Sequence, residues 1–279
     1  MGIGVVALDG LVDLHRRFGD FGRTVQIGRQ GLYFGHIERQ IADLTVRQYG
    51  LADSFTDIVG SDQYADEHLL GRFGADPILA ADASAYEGAT IVHDFNTPIS
   101  EQYHGRFDTL LEFGSLEHIF NVPTAMANMM RMVKVGGRIM SVAPSNNWLG
   151  HGFYQFSPEL PFRVYQPENG FEIVSVRLCT GGQSPVDLLD QGDRGARNEI
   201  GTTAASTDLI TVARKIADVE PFRRWPQQGD YVHAWDRLMA AESGRTAGAA
   251  IDRIGDIEPV LDEPRAVARP WWRRIIARR

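Results

Sequence analysis

Four positions in the sequence place a glycine or an acid where an apolar segment ends. They are Gly28, Asp82, Asp94 and Glu112. A carboxylate at the end of a strand can accept two hydrogen bonds from ribose hydroxyls, a second carboxylate can accept one from an adenine amino group, and a glycine lets the backbone approach a ligand closely. Each aspartate alone could instead cap a helix or begin a turn. Their joint placement along the chain favours a nucleoside-binding site.

Two histidines are candidates for moving a proton. His118 follows Glu117 a few residues after Glu112, and His151 lies in the segment 144–165. Histidine titrates near neutral pH, so it suits general acid or base chemistry. We expect His151 to be the first candidate and His118 the second. For Glu117 the simpler interpretation is favoured, in which it caps and orients the following helix.

The segment 144–165 is dense in amides and aromatic side chains. Its polar candidates for ligand contact are Asn146, Asn147, Tyr154 and Gln155. Such side chains suit a sugar or another polyhydroxylated molecule. An equally weighted alternative is a structural loop tied down by its own amides, with Phe153 and Phe156 in the core.

The sequence predicts no metal site. Histidine, aspartate and glutamate do not cluster at spacings such as His-x-x-x-His. The single cysteine, Cys179, excludes an intrachain disulfide and a zinc site of the usual cysteine type.

Apolar periodicity predicts the elements that position these residues. Strands are predicted at 24–27, 76–84, 89–96, 107–112, 138–143, 171–178 and 207–216. Helices are predicted at 6–18, 36–49, 64–75, 122–135 and 229–239. Gly136 and Gly137 are expected to close one helix, and Pro144 to end the strand after it. Strands that alternate with helices predict an α/β fold with a doubly wound, mainly parallel sheet covered on both faces. Ligands bind such sheets beyond the carboxyl ends of the strands.

The chain is expected to have three parts: an N-terminal helix over 1–22, an α/β domain over 23–216, and a helical extension over 217–279 with a basic tail. Residues 270–279 combine two tryptophans and two isoleucines with four arginines. This tail could dock at an anionic membrane surface. The favoured alternative is a helix packed on the domain, or a frayed basic end.

Composition narrows the class of protein. The 279 residues carry a formal net charge of −8, which disfavours broad contact with nucleic acid. The N-terminus lacks leading positive charges and has Asp9 early, and no uninterrupted apolar run could span a bilayer. We therefore expect a cytoplasmic protein.

The segment 106–144 resembles part of the class I methyltransferases that depend on S-adenosylmethionine. The matching pieces, in order, are Phe107-Asp108, Leu116-Glu117-His118, Val133-Lys134-Val135-Gly136-Gly137 and Pro144. Asp82 resembles the family's ribose-binding strand end, and Asp94 its adenine-side strand end. The resemblance covers roughly residues 23–178, and the segment 144–165 is similar to a subset of bacterial methyltransferase-like proteins.

This resemblance implies that the chain binds S-adenosylmethionine and transfers its methyl group to a small or polyhydroxylated acceptor, such as a sugar hydroxyl. It implies cofactor contacts from eight residues: Gly28, Arg29, Gln30, Asp82, Asp94, Phe95, Glu112 and Gly114. The family's Gly-x-Gly-x-Gly turn and its preceding acid are replaced here by the sequence VQIGRQG. Some 50 residues separate Gly28 from Asp82, more than the single helix usual there. Arg29 could then pair with the cofactor carboxylate.

Two alternatives remain at this point. The divergent glycine turn favours a catalytically silent relative that only binds. A nicotinamide-dependent oxidoreductase would also use a doubly wound sheet, but the sequence lacks the Gly-x-Gly-x-x-Gly turn on which a pyrophosphate rests.

Overall fold

The computed structural model of the protein describes residues 2–59, 63–201 and 203–243. One compact unit covers Met1–Ala234 and a second covers Trp235–Arg279. The basic tail at 270–279 lies outside the described residues. The predicted domain limits at residues 22 and 216 stay predictions.

The described residues form ten strands, which we number in chain order. They are β1 (Gly2–Ile3), β2 (Gly22–Ile27), β3 (Gly31–Leu32), β4 (Ala75–Asp82), β5 (Ile91–Val92), β6 (Phe107–Phe113), β7 (Val133–Asn146), β8 (Phe171–Thr180), β9 (Val186–Leu188) and β10 (Thr207–Lys215). Eight of them form one sheet in the order β5-β4-β2-β6-β7-β10-β8-β9, and β1 pairs with β3 in a separate two-stranded sheet.

The large sheet has a parallel core and an antiparallel end. Strands β5, β4, β2, β6 and β7 are paired in parallel, whereas β10 runs antiparallel to β7 and β8. Strands β4 and β5 lie on one side of β2, whereas β6 and the later strands of this sheet lie on the other side. This reversal is the topological switch point at which doubly wound sheets bind ligands. The predicted fold class is confirmed.

The described residues also form six α-helices, numbered in the same way. They are α1 (Val5–Phe18), α2 (His36–Gln48), α3 (Asp66–Leu69), α4 (Val122–Met132), α5 (Glu159–Val164) and α6 (Gly229–Ser243). In the part of the chain that the structure describes, no helix has the length and apolar character needed to span a bilayer.

Two apolar clusters cover the two faces of the sheet. Alternate residues of β6 point to opposite faces, so Leu110 joins one cluster and Leu111 the other. Met126 and Met129 of α4 belong to the first cluster, and Leu8 and its neighbours on α1 belong to the second. Burial of each such side chain contributes about 1.5–3 kcal/mol. The sheet is therefore held between helices, and its strand ends have fixed positions.

Helix α4 ends earlier than the sequence predicts. Val133 after it is extended, with φ −79° and ψ 135°, and begins β7. Gly136 and Gly137 therefore lie in a strand and do not cap the helix, so that prediction is wrong. A Cβ built on Gly137 would lie 2.8 Å from the Asp108 carbonyl oxygen. The glycine permits the close approach of β6 and β7 at this point.

Strand β7 continues through Pro144 to Asn146, so the prediction that Pro144 ends it is also wrong. Pro144 pairs with Asp208 of β10 where the register of the two strands shifts. A bulge is one of the few places in a sheet that tolerates proline, because a ladder hydrogen bond is already missing there. Pro144 uses its carbonyl instead, which accepts from the Phe156 N–H at 2.7 Å.

The long segment between Gly28 and Asp82 is filled by several short elements. Strand β3, helix α2, a 3-10 turn over Phe55–Ile58 and helix α3 lie between β2 and β4. The helix predicted over 64–75 is an α-helical turn over Asp66–Leu69 that continues as a 3-10 helix over Leu70–Phe73. This insertion places β3 beside the N-terminal strand β1, at the edge of the site described next.

Candidate functional site

The ends of three parallel strands meet around Gly28, directly after β2. This residue has φ +70°, a conformation that favours glycine. A Cβ built on it would lie 2.9 Å from Ser115 Oγ and 3.7 Å from Asp82 Oδ2. The Ser115 hydroxyl donates to the Ile27 carbonyl at 2.5 Å, which fastens the turn after β6 to the end of β2.

The two aspartates predicted to bind a nucleoside follow adjacent strands. The N–H of His93, next to Asp94, donates to the Asp82 carbonyl at 2.8 Å. Asp94 is exposed and accepts from the N–H and the side-chain amide of Asn96 at 2.9 and 2.8 Å. These hydrogen bonds lower the pKa of Asp94, so the carboxylate is ionised at neutral pH. The structure thus brings Asp82 and Asp94 to the same edge of the sheet.

Arg29 has a partner within the protein. Its Nε and Nη2 lie 2.7 and 2.6 Å from Asp66 Oδ2, and its guanidinium lies over the Tyr64 ring at 3.9 Å from the centroid. The Nη1 group donates to the Glu87 carbonyl at 3.2 Å. In this arrangement Arg29 joins the insertion to the loop between β4 and β5, whereas the sequence led us to expect a contact with the cofactor carboxylate.

Gln30 is fully buried and holds the turn after β2 in place. Its side-chain amide donates to the carbonyls of Ile27 and Gly28 at 2.7 and 3.1 Å. Its N–H donates to the side-chain oxygen of Gln26 at 3.1 Å. Polar side chains therefore shape this turn in a chain that lacks the family's glycine-rich sequence.

The resemblance implies a cofactor contact from Glu112, but this side chain does not face a cleft and is not placed to make one. The side chain is completely buried. Its Oε1 accepts from the N–H groups of Ser115 and Leu116 at 2.6 and 3.1 Å, and its Oε2 accepts from the Ser141 hydroxyl. Burial raises the pKa of Glu112. The residue organises the turn after β6 from the inside.

Phe95 and Gly114, two further residues with an implied cofactor contact, lie in different surroundings. Phe95 is 4% exposed and belongs to the apolar cluster beneath the sheet, with its ring edge against His93. Gly114 has φ +81° and lines a cavity. Of this pair, only Gly114 is placed to contact a ligand in that cavity.

Glu117, His118 and His151 form one cluster, which we call the Glu-His cluster. Glu117 Oε1 lies 3.4 Å from His151 Nε2 and 3.8 Å from His118 Nε2. The two imidazole rings meet edge to face with their centroids 5.0 Å apart. Glu117 is 1% exposed, whereas the two histidine side chains are 41% and 44% exposed. A buried carboxylate therefore lies beneath two accessible imidazoles.

Burial sets the protonation of this cluster. Burial, and to a lesser extent the nearby Glu112, raises the pKa of Glu117 to about 7. Burial also lowers the pKa of His118, as does the proximity of His151. Both effects favour the neutral forms of Glu117 and His118.

A cavity of about 430 Å³ opens beside the Glu-His cluster. It lies between the N-terminal segment and the ends of β6, β7 and β10, and its lining includes Gly114, Glu117, Trp148, His151 and Asp208. Ligand pockets have volumes of about 300–1,000 Å³. The cavity is therefore large enough for one small molecule.

The polar residues of the loop after β7 are bonded to the loop itself and to neighbouring segments of the protein. The Asn147 amide donates to the Ala205 carbonyl at 2.9 Å, and Gln155 Oε1 accepts from the Trp148 N–H at 2.9 Å. The Tyr154 hydroxyl donates to the Phe120 carbonyl at 2.9 Å. Asn146 is exposed at the end of β7. These bonds hold the loop in the position that carries His151.

The sequence analysis missed Asp208 and the central position of Glu117. Burial raises the pKa of Asp208 to about 6. The position of this acid near the start of the apolar strand β10 was the sequence signal that could have identified Asp208. The approach of Glu117 to His151 has no such signal, because 33 residues lie between them and only the folded loop joins them.

No protein-family model and no curated protein matches the chain. Several solved structures are similar to it. One is the 1,6-didemethyltoxoflavin-N1-methyltransferase of Burkholderia thailandensis with bound S-adenosylhomocysteine, at 14% identity and a TM-score of 0.40, covering 75% of this chain and 78% of that one. Another is the N-methyltransferase NodS of Bradyrhizobium japonicum with S-adenosylhomocysteine, at 12% identity and a TM-score of 0.40, covering 75% and 85%.

A third similar structure is the [4+2]-cyclase SpnF, at 14% identity and a TM-score of 0.38, covering 76% of this chain and 82% of that one. Methyltransferases are thus among the solved structures that the chain is similar to. At such identities and TM-scores the function has to be argued from the site itself.

Proposed function

We propose that the protein transfers a methyl group from S-adenosylmethionine to a small acceptor. The observation that carries this proposal is the gathering of Gly28, Asp82 and Asp94 at the switch point of the sheet, next to a cavity that begins at Gly114. A nucleoside would lie across the carboxyl ends of β2, β4 and β5, as ligands of doubly wound sheets do. Its sulfonium end would then point toward the cavity.

Each part of the cofactor finds a suitable group in this arrangement. Asp82 would accept hydrogen bonds from the ribose hydroxyls, and Asp94 would accept from the adenine amino group. Gly28 lets the turn after β2 pack closely on Ser115, whose Oγ lies 2.9 Å from where a Cβ would be. We assign Arg29 and Gln30 to the support of the surrounding turns, because their side chains are bonded to the protein there.

The acceptor would occupy the 430 Å³ cavity. Glu117, His151 and Asp208 line it and would supply polar contacts, and the aromatic ring of Trp148 would supply an apolar surface. This combination fits a small hydroxylated molecule, such as a sugar. The amides of Asn147 and Gln155 would act indirectly, by holding the loop.

Methyl transfer from a sulfonium is an in-line displacement. A lone pair of the acceptor oxygen forms the bond to the methyl carbon, and the electrons of the broken carbon–sulfur bond stay on sulfur, which yields S-adenosylhomocysteine. The protein contributes mainly by aligning the three atoms. His151 would take the acceptor proton at Nδ1, since its Nε2 faces Glu117, and His118 is the second candidate for this step.

Titration calorimetry with S-adenosylhomocysteine tests the cofactor site. The substitution Asp82→Ala should weaken binding roughly 10- to 100-fold, because hydrogen bonds to a charged group contribute about 1.5–3 kcal/mol. The matched control is Asp187→Ala, which removes an exposed carboxylate on β9 at the far edge of the sheet. Equal affinities for the two variants would contradict the proposal.

A binding protein without transferase activity is the second candidate. It is favoured by the turn after β2, where Arg29 is already paired with Asp66. Affinity for the cofactor with no methylated product from a panel of small hydroxylated acceptors would favour this alternative.

A further inference from the structure

The Glu-His cluster has the composition of a metal site. Glu117 offers a carboxylate oxygen, and His118 and His151 each offer an imidazole nitrogen, with all three atoms within 4.8 Å of one another. These residues come from two separate segments, the turn after β6 and the loop after β7. The fold, rather than a local sequence motif, therefore assembles the set.

Hydrogen bonding alone leaves the cluster incompletely satisfied. The distances of 3.4 and 3.8 Å from Glu117 Oε1 to the two imidazole nitrogens exceed the usual limit of about 3.2 Å for such bonds. Glu117 Oε2 is buried and has no hydrogen-bond partner. A buried carboxylate oxygen without a partner is costly, and a bound cation would remove that cost.

The surrounding loop fixes the ligands in place. The Phe153 N–H donates to the Glu117 carbonyl at 2.7 Å. A Cβ built on Gly152 would lie 2.7 Å from Glu117 Cγ, so the backbone next to His151 packs directly on Glu117. The Trp148 ring lies 5.4 Å from the His151 ring. These contacts hold Glu117 and His151 in place, as a metal site requires of its ligands.

The distances suit a small divalent ion. Zinc bonds of about 2.0–2.1 Å in a tetrahedral site separate two ligand atoms by roughly 3.3 Å. The separations from Glu117 Oε1 of 3.4 and 3.8 Å need to shorten by about 0.1 and 0.5 Å to reach this value. The two imidazole nitrogens, which lie within 4.8 Å of one another, need to approach by up to about 1.5 Å. Two imidazoles favour zinc and related transition metals, whereas magnesium prefers oxygen ligands.

We infer that Glu117, His118 and His151 bind one divalent transition-metal ion, with zinc as the best fit. Two histidines and one glutamate are a ligand set of catalytic zinc sites, which keep a fourth position for water or substrate. That position would face the 430 Å³ cavity.

The binding of the ion does not depend on the proposed methyl transfer, but its role in catalysis rests on it. A metal ion at this place would bind the acceptor oxygen and lower the pKa of its hydroxyl. His151 Nε2 would then bond to the ion. With the ion bound, the acceptor hydroxyl would lose its proton to solvent water, and His151 would bind the ion instead of acting as the base.

Zinc binding to the metal-free protein, prepared without a histidine tag, tests this inference. Calorimetry with zinc chloride, in the absence of S-adenosylmethionine, should show one ion per chain. His151→Ala and His118→Ala should each weaken binding about 100-fold or more, since even residues that only support a ligand contribute about 10- to 100-fold. Both side chains are exposed, so these variants are expected to fold.

His68→Ala is the matched control, because His68 is an exposed histidine on α3, outside the cluster. It should leave zinc affinity unchanged. Cobalt provides a second readout, since a tetrahedral cobalt absorption band should appear in the wild-type protein and be lost in His151→Ala. Absence of zinc binding, or equal binding by wild type and His151→Ala, would overturn the inference. Neither result depends on whether the cofactor binds.

Discussion

At the scale of single residues, the surroundings of each strand-end carboxylate decide its role. Asp94 is exposed and its pKa is lowered by hydrogen bonds from Asn96. Glu112 is fully buried and accepts hydrogen bonds from the turn that follows it. Only the first kind of carboxylate is available to a ligand, although the sequence presents both in the same way.

Gly28 provides a test of the close approach at the switch point. The substitution Gly28→Ala should lower the free energy of unfolding by more than the strain of about 1–2 kcal/mol that a left-handed residue with a Cβ costs. The excess comes from the contact at 2.9 Å with Ser115 Oγ. Affinity for S-adenosylhomocysteine should fall in the same variant. Urea unfolding and calorimetry measure the two effects.

Gly50→Ala is the matched control for this prediction. Gly50 has a similar φ of +65°, but a Cβ built on it would have nothing within 4 Å. This variant should show the backbone strain alone and should bind the ligand normally. Identical losses in the two variants would show that the space beside Gly28 has no role in binding.

The sequence predicted the residue types at the strand ends but not all of their environments. Asp82 and Asp94 lie together because the carboxyl ends of parallel strands meet at one edge, a consequence of the fold class. The burial of Glu112 depends on the N–H groups of Ser115 and Leu116, which the turn after β6 directs toward it. No pattern of side chains in the sequence reveals this backbone arrangement. The predicted catalytic pair, His118 and His151, does meet in space, but its shared contact with Glu117 depends on a loop conformation.

At the scale of elements, helix α4 fixes the segment that follows Asp94. Asn128 of α4 is fully buried. Its Oδ1 accepts from the Ile99 N–H at 2.9 Å, and its Nδ2 donates to the Thr97 carbonyl at 2.8 Å. Because β5 has only two residues, Ile91–Val92, these side-chain bonds replace the strand pairing that would otherwise position this segment.

Asn128→Ala should therefore destabilise the protein by roughly 2–4 kcal/mol, since it leaves a buried donor and a buried acceptor without partners. Hydrogen exchange should quicken at Ile99. Asn198→Ala is the control, because that asparagine is only partly buried and its side-chain amide donates to the Leu189 carbonyl at 3.0 Å. Its substitution should cost less than about 1 kcal/mol. Urea unfolding that gives equal stabilities for the two variants would contradict this role of α4.

The sequence located most elements of the parallel core and missed the short ones. Helix α1 and strands β2, β4 and β6 fall where apolar periodicity predicts them, because each buries a continuous face. Strands β1 and β3 have two residues each and are too short to show an apolar periodicity. The end of α4 was misplaced because a pair of glycines signals a helix cap and a close strand contact equally well.

At the scale of the whole molecule, the compact unit Met1–Ala234 contains both apolar clusters and all of the candidate site residues. The sheet is packed on both faces, so its helices leave the strand ends as the place for ligands. The N-terminal segment and the loop after β7 then enclose the cavity beside those ends. A membrane role for residues 270–279 stays a separate hypothesis about the tail.

A crystal structure with bound S-adenosylhomocysteine tests the central claim most directly. The account predicts the ribose hydroxyls within hydrogen-bond distance of Asp82, the adenine beside Asp94, and the sulfur near Gly114, directed at the cavity that holds Glu117 and His151. Soaked crystals in which the ligand lies away from the ends of β2 and β4, or does not bind at all, would contradict it.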